Sequence, residues 1–346
     1  MPQPSVYVIV LNWNTLEETA RCIDSVLGHS YLNYQILVVD NGSTGDSVAA
    51  LRDRAPNVEV IALSTNTGYT GGNNIGMAHA FAAGADYVWL LNNDALAAPD
   101  TLAKLVETAE TEPDIGLVSP VQREWTDAPD IHTICGHFDF AAPLTEQTDA
   151  ISLARSWLAE RPQRVLLYGA ALLVRRALWE KIGGLDERFF AYFEDSDYSV
   201  RSIYAGFRNY LALDAFIYHK KKPTKDNPQS IKPHVYYYVA RNEILFWVKY
   251  TRGLCLLKSI WWHILRQRYQ INRMGGYQAG IDAILAGLWD GWRGVRGECP
   301  ARQHPWLLRA AFKLFLFGRN KSGAMSPVHP ARIRRPGGSP STGLDR

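Results

Sequence analysis

Short unbroken apolar runs that end in small polar clusters recur along the first half of the chain. Val6-Tyr7-Val8-Ile9-Val10-Leu11 closes in Asn12-Trp13-Asn14, Gln35 to Val39 closes in Asp40-Asn41-Gly42-Ser43, and Val88-Trp89-Leu90-Leu91 closes in Asn92-Asn93-Asp94. Such runs, rich in Val, Ile and Leu, read as strands buried on both faces. Helical periodicity fills the gaps between them. Thr15 with Glu18 three residues on is a capping box, and Ala20, Ile23, Val26 and Leu27 then predict one apolar helical face. A short helix from Val48 to Arg54 stops before Pro56, and Val58 to Leu63 reads as a third strand. This alternation predicts βαβ units and a mostly parallel sheet, with its polar strand ends gathered at the carboxyl edge where open α/β sheets bind ligands.

The stretch Asn66-Thr67-Gly68-Tyr69-Thr70-Gly71-Gly72-Asn73-Asn74 predicts a turn that opens a helix running to about Gly84. Glycines there let the backbone approach a ligand, and free amides at a helix N-terminus favour an anion such as a phosphate. The dinucleotide fingerprint is missing, because the first strand leads into Asn12-Trp13-Asn14 where G-x-G-x-x-G would stand. Pro99 and Asp100 start a helix to about Glu110, and Gly116 to Ser119 reads as a short strand. From Gln122 to Arg164 the periodicity decays, which predicts a variable loop or lid. Order returns over Leu166 to Arg175, followed by a helical turn, Ala177 to Ile182, that Gly183-Gly184 ends.

A second polar cluster follows an aromatic one: Phe189-Phe190-Ala191-Tyr192-Phe193 leads into Glu194-Asp195-Ser196-Asp197. Acidic residues suit the first turn of a helix. A carboxylate held among aromatics also has its charged form desolvated, which suits a general base that takes a proton from an alcohol. Arg201 can pair with Asp197 at (i, i+4), leaving Asp195 for chemistry. Asn209 to Leu213 then reads as a strand, and Ile217-Tyr218 delivers His219 into the basic loop Lys220-Lys221-Lys222.

At 346 residues and 47% hydrophobic the chain can bury a large core, and its net charge of +3 is too mild to point to nucleic acid. Cys22, Cys135, Cys255 and Cys299 lie far apart, which argues against a zinc site or disulfide framework and suits a reducing, cytosolic compartment. No basic segment precedes Val6, so the first apolar run reads as a strand and not a signal peptide. No stretch reaches the roughly 20 apolar residues that a spanning helix needs. From Tyr236 onward Trp, Tyr and Phe interleave with Arg241, Lys249, Arg252, Lys258, Arg266, Arg268 and Arg273. Basic residues on one side and aromatics on the other are the pattern of helices lying in a membrane interface. Leu307 to Phe317 reads as a last amphipathic helix, and residues 318–346, dominated by Gly, Pro, Ser and Arg, as a disordered tail.

Taken together, Asn12-Trp13-Asn14, Asp40-Asn41-Gly42-Ser43, the Asn66 to Asn74 stretch, Asn92-Asn93-Asp94, Gly183-Gly184-Leu185-Asp186, Glu194-Asp195-Ser196-Asp197, His219 and Arg241-Asn242 resemble the inverting GT-A glycosyltransferases of family two. The resemblance is strongest to the bacterial rhamnosyltransferase-like branch that builds cell-surface polysaccharides, and it covers about residues 5 to 250. It implies an α/β, Rossmann-like GT-A domain over residues 1–235, with a central mostly parallel sheet flanked by helices. A C-terminal helical extension over 236–317 and the tail would follow. By the same resemblance, Asp40 contacts the nucleotide base with Asn12 beside it. Asn66, Gly71, Gly72 and Asn73 close over the nucleotide, and Asn92, Asn93 and Arg241 belong to the donor site.

Asn92-Asn93-Asp94 stands where the family has D-x-D, so the resemblance makes Asp94 a ligand of a divalent cation, with His219 completing the site. Asp195 would be the catalytic base, with Glu194 the second candidate. Oxygen-rich ligands suit Mg²⁺ or Mn²⁺ better than zinc. The expected partners are a dTDP- or UDP-linked sugar, a glycan or lipid-linked acceptor and the inner-membrane surface, with the chain peripheral on its cytoplasmic face and no nucleic acid. Two other readings are weaker. A nucleotidyltransferase would want a glycine-rich basic loop after the first strand, and Asn12-Trp13-Asn14-Thr15 is not one. A non-catalytic membrane-bound scaffold would tolerate loss of Asp94 or Asp195, and both are present.

Overall fold

A computed structural model of the chain describes residues 3–125, 131–141, 144–219 and 230–299. The predicted alternation is present: β1 (Val6–Asn12), α1 (Leu16–Leu27), β2 (Tyr34–Asp40), α2 (Ser47–Arg54), β3 (Glu59–Ala62), α3 (Gly68–Ala82) and β4 (Tyr87–Asn92) follow one another. Next come β5 (Ala95–Ala97), α4 (Thr101–Glu110), β6 (Ile115–Glu124), β7 (Ile131–Thr133), β8 (Cys135–Asp139), β9 (Leu144–Thr148), α5 (Ile151–Glu160), β10 (Val165–Leu166), β11 (Ala171–Arg175), α6 (Arg176–Ile182), α7 (Glu194–Tyr204) and β12 (Arg208–His219). Three helices, α8 (Pro233–Tyr250), α9 (Gly253–Arg273) and α10 (Gln278–Trp292), close the described chain.

The main sheet has the order β3-β2-β1-β4-β11-β6-β12-β5, with β7 on β6. The neighbours β3, β2, β1 and β4 are parallel, as are β6 and β12, while β11 and β5 run against their partners. Both faces are covered, which is why the strand runs are continuously apolar. Val6, Val8 and Val10 face Cys22, Ile23 and Val26 of α1. Tyr7 and Ile9 face Met77, Ala80 and Phe81 of α3 on the other side. Trp89, fully buried at the centre of β4, anchors the first of these layers.

Three expectations change. Thr15 caps α1 without a side-chain cap hydrogen bond, because its hydroxyl instead accepts from Asn93 Nδ2 at 2.6 Å. Leu27 is exposed and lies outside the apolar face. The described residues between 122 and 164 are not an irregular lid, since β8 pairs with both β9 and β10 in a second, three-stranded sheet and α5 follows β9. Strands this short leave too few alternating positions to register as a pattern.

The boundary expected at 235/236 falls inside one compact unit that runs from Met1 to Gln303. The cause is α8, whose Phe246 and Trp247 pack with Phe189 and Val200 of the sheet-bearing part. Tyr236, Tyr237 and Tyr238 are likewise buried, so the aromatics of α8 form core and not a membrane-facing surface. The helix expected at Leu307 to Phe317 and the tail lie outside the described residues.

Candidate active site

Strand register collects the polar strand ends at one edge. Asn12 pairs with Asp40 across β1 and β2, and Leu11 pairs with Asn92 across β1 and β4. On the far side β12 pairs antiparallel with β5, setting His219 opposite Ala95 and so beside Asp94. The entry to β11 reaches the same edge, because the Asn92 amide donates to the Ala170 carbonyl at 2.9 Å.

Asn12 and Asp40 form the buried floor. Asn12 Nδ2 donates to Asp40 Oδ2 at 2.6 Å, Thr19 Oγ1 donates to Asn12 Oδ1 at 2.8 Å, and the Ser43 amide donates to Asp40 Oδ1 at 3.0 Å. Asn41, which carried no role in the sequence reading, ties the floor to the start of α3. Its Nδ2 donates to Asn66 Oδ1 and the Gly68 carbonyl, and its Oδ1 accepts from the Thr67 amide at 2.9 Å.

The glycine and asparagine stretch differs from the expected turn. Gly71, Gly72 and Asn73 are buried inside α3, and a Cβ on Gly72 would collide with Leu11 of β1. The missing side chain of Gly72 lets helix and sheet come into close contact, Gly71 lies against Thr67, and Asn73 Nδ2 donates to the Tyr69 carbonyl within the helix. Asn66 alone of this group stays at the helix mouth, where its Oδ1 accepts from the Gly68 amide. Asn93 donates to Thr15 and Thr19, the latter bonded to Asn12 of the floor.

Asp94 is partly exposed, and His219 Nε2 lies 2.9 Å from its Oδ1 while the His219 ring is almost fully buried. The Asn92 side-chain oxygen is buried at the same strand end without a hydrogen-bond partner. Carboxylate, imidazole and amide oxygen form a donor set that suits a hard divalent cation. Among the described residues no group of three or more His, Cys, Asp or Glu gathers to hold a metal unaided. A cation here would need phosphate or water oxygens to fill its shell.

The acidic pair arrives from the other side of the cleft. Asp195 Oδ2 accepts from the Gly169 amide at 2.9 Å, Asp195 Oδ1 accepts from the Ser196 amide at 2.6 Å, and Tyr69 donates to the Gly169 carbonyl at 2.7 Å. Burial pushes the Tyr69 phenol upward, and the charges of Glu194, Asp195 and Asp94 add to it. The Tyr192 phenol is pushed up to about 12, first by burial and then by Glu194 and Asp94. Glu194 itself is held well above the usual carboxylate range by burial and by the neighbouring Asp195, and its Oε2 has no partner. Tyr69, Gly169 and Tyr192 were missed from the sequence, since nothing in a lone Tyr or Gly signals its place.

The loop that presents the pair is strained. Phe190, Tyr192 and Phe193 all have φ between 66° and 73°, a region that costs a non-glycine residue about 1–3 kcal/mol. Asn242 Nδ2 holds it by donating to the carbonyls of Phe189, Ala191 and Tyr192 at 2.9, 2.7 and 2.7 Å. Arg241, expected to contact the donor, is fully buried; its guanidinium donates to Phe189 O, Gly297 O and Asn242 Oδ1. It is a fastener of this loop. Asp197 is also structural, enclosed by Arg201, Lys249 and Tyr250.

Residues 7–177 match the family model for glycosyl transferase family 2. The chain is 31% identical over 221 residues to N-acetylglucosaminyl-diphospho-decaprenol L-rhamnosyltransferase of Mycobacterium tuberculosis, covering 56% of this chain and 69% of that relative. It is 34% identical over 109 residues to the galactofuranosyltransferase GlfT1 of the same organism, covering 31% of this chain and 36% of GlfT1. Among solved structures, the mannosyltransferase PcManGT from Pyrobaculum calidifontis in complex with GDP-Man and Mn²⁺ superimposes with a TM-score of 0.52 at 18% identity, covering 92% of this chain and 81% of that one. S. aureus TarS 1–349 in complex with UDP-GlcNAc gives a TM-score of 0.54 at 15% identity, covering 88% and 83%. The fold is that of the GT-A glycosyltransferases. Identity along more than two thirds of a rhamnosyltransferase, on a fold that agrees with it, makes this chain a glycosyltransferase of family 2.

Proposed function

We propose that the chain transfers a sugar, rhamnose or another hexose, from a nucleoside-diphosphate donor to the hydroxyl of a lipid-linked glycan, with inversion at the anomeric carbon. The observation that carries this reading is the carboxyl edge that holds Asp94 beside His219 and, through the Gly169–Ala170 entry to β11 bonded to Asn92 and Tyr69, also holds Asp195. The donor diphosphate belongs at Asp94 and His219, and the acceptor hydroxyl at Asp195. A cation bound there would neutralise charge on the departing diphosphate. Mg²⁺ and Mn²⁺ both suit these ligands, and PcManGT was solved with Mn²⁺ and GDP-Man.

The two adjacent carboxyls divide the labour by environment. Burial and the neighbouring Asp195 hold Glu194 well above the usual carboxylate range, which disfavours a second negative charge beside Asp195. Asp195, aimed by the Gly169 and Ser196 amides, removes the acceptor proton as the hydroxyl oxygen attacks the anomeric carbon. The bond to the diphosphate oxygen breaks in the same displacement. Asp40 and Asn12 serve the nucleotide end from the floor, with Asn66 at its rim. Gly72 acts through the close seating of α3, with Gly71 and Asn73 in the same helix.

The dTDP and UDP donors are the first candidates, and the lipid-linked acceptor follows the name of the mycobacterial rhamnosyltransferase. Calorimetric titration with a panel of nucleoside diphosphates and their sugars, with and without Mg²⁺ or Mn²⁺, tests the donor side. Metal-enhanced binding of dTDP or UDP species is the expected result; absence of binding across the panel would favour a scaffold without chemistry. The anomeric configuration of the product, read by NMR, tests inversion.

A further inference from the structure

Three consecutive residues link the Asn92 strand end to the second sheet. The Ala170 carbonyl accepts from the Asn92 amide at 2.9 Å, the Gly169 amide holds Asp195 Oδ2 at 2.9 Å, and the Tyr168 phenol reaches β8. A Cβ on Gly136 of β8 would stand 2.8 Å from the Tyr168 hydroxyl oxygen, so glycine at this position is what admits the phenol. Gly136 pairs with Gln147 of β9, which puts the two on one face of the second sheet. Gln147 is exposed, and its side chain hydrogen bonds to the same phenol. Burial first, and then the charge of Asp195, push the Tyr168 phenol upward, which keeps its proton available for donation.

The two faces of this small sheet have different neighbours. Cys135 belongs to the cluster that holds Ala154 and Trp157 of α5, and the His137 ring lies 5.2 Å from that of Trp157. Phe138, on the alternate face with Gly136, packs with Phe189 and with Phe193, the residue before Glu194. The face that carries Gln147 therefore flanks the acidic pair. A brace for Asp195 would need only apolar side chains here, yet an exposed amide and a protonated phenol stand beside the peptide that aims it.

We propose that Gln147 and Tyr168 form the acceptor wall of the cleft, hydrogen bonding to hydroxyls of the acceptor sugar next to the one that Asp195 deprotonates. Single displacement brings the attacking hydroxyl to the side of the anomeric carbon opposite the diphosphate. With the diphosphate at Asp94, residues 170, 169 and 168 run in that order from leaving group to base to acceptor. Gln147 can both donate and accept, which suits a vicinal pair of hydroxyls, and neither side chain is charged, which suits a neutral sugar. Choice of acceptor thereby resides in the second sheet, and handling of the donor in the main one. This inference rests on the reading of Asp195 as the base only for which hydroxyl is attacked.

The test is calorimetric binding of an alkyl N-acetylglucosaminyl diphosphate, its monodeoxy analogues and octyl glycosides of glucose and galactose to the full chain. Titrations are run with dTDP and Mn²⁺ present, so that no turnover occurs. Gln147→Ala should weaken the best acceptor about five- to tenfold, and Tyr168→Phe about fivefold, since its ring stays in place. Binding of dTDP should be unchanged in both. The deoxy analogue that lacks the hydroxyl held by Gln147 should bind the wild type weakly and lose nothing further in Gln147→Ala, a coupling that a merely structural role would not produce. Unchanged acceptor affinity in both variants would overturn the proposal, as would an equal loss for every analogue, or a wild type that binds dTDP but none of these acceptors. Weakened acceptor binding in Gln147→Ala together with undiminished transfer by Asp195→Asn would leave the wall standing and remove the base.

Discussion

The side-chain amide of Asn242 lies 2.7 Å from the carbonyl oxygen of Tyr192, a residue fifty positions earlier in the chain whose φ is 70°. Phe189 and Ala191 accept from the same nitrogen, so three carbonyls share its two protons. That single amide fixes the direction in which the chain enters α7, and with it the placement of Glu194 and Asp195.

Asn242→Ala therefore strips its side-chain donor from the Ala191 and Tyr192 carbonyls, while the Phe189 carbonyl keeps Arg241. We expect a loss of about 1–3 kcal/mol in stability and a fall in kcat larger than any change in donor affinity. Thermal unfolding and steady-state kinetics read the two effects separately; a variant with unchanged kcat would show that the loop keeps its shape unaided.

Asp195→Asn preserves volume and hydrogen-bond acceptance at one atom but cannot take a proton. Transfer should drop about 10²–10⁴-fold while donor binding stays within about twofold. Single-turnover measurements at saturating donor check this, and undiminished transfer would assign the base elsewhere.

Asp94→Ala should weaken metal-dependent binding of the nucleoside diphosphate by at least about tenfold, leaving weak metal-free binding in place. Titration with UDP or dTDP in Mn²⁺ and then in chelator gives the comparison. Equal Mn²⁺ enhancement in both proteins would move the cation away from this strand end.

Glu194 gives a stability prediction with a definite sign. Its folded-state pKa is raised, so its contribution is complete below the unfolded value of about 4.3 and is lost as pH rises through the folded value. Over that window the wild type should lose up to about 1.4 kcal/mol per pH unit relative to Glu194→Gln, which cannot ionise. Urea unfolding of both proteins across the range tests it; parallel curves would mean an ordinary carboxyl.

Gly68→Ala probes the contact between α3 and the strained loop. Gly68 has φ of 79°, and a Cβ there would lie 2.6 Å from the Phe190 carbonyl oxygen. A loss of about 1–3 kcal/mol is expected from strain and overlap together. An unchanged melting temperature would show that Phe190 yields freely.

The parts of this molecule that could be read from its sequence are those where one residue's neighbours in the chain are also its cause. Asn12, Asp40, Asn92 and His219 end apolar strand runs, and register alone carries them to one edge. Arg201 pairs with Asp197 because both lie on one helix. What escaped depends on partners far away. Gly72 looks like a phosphate-binding glycine until Leu11 is seen against it, and Arg241 looks like a donor contact until the carbonyls of Phe189 and Gly297 surround it. Both α8 and α9 interleave aromatics with basic residues, and only packing shows that those of α8 turn inward and Trp261, Trp262 and Tyr269 of α9 outward.

The fastening of residues 189–192 by α8 also decides where this enzyme can be cut. A chimaera that joins a foreign acceptor module after His219 would keep every strand and every carboxylate of the cleft, yet lack the amide that orients two of them. The smallest exchangeable cassette consequently ends beyond Gly297, whose carbonyl holds Arg241. Grafts in which both partners retain their own α8 to α10 should trade specificity without losing catalysis.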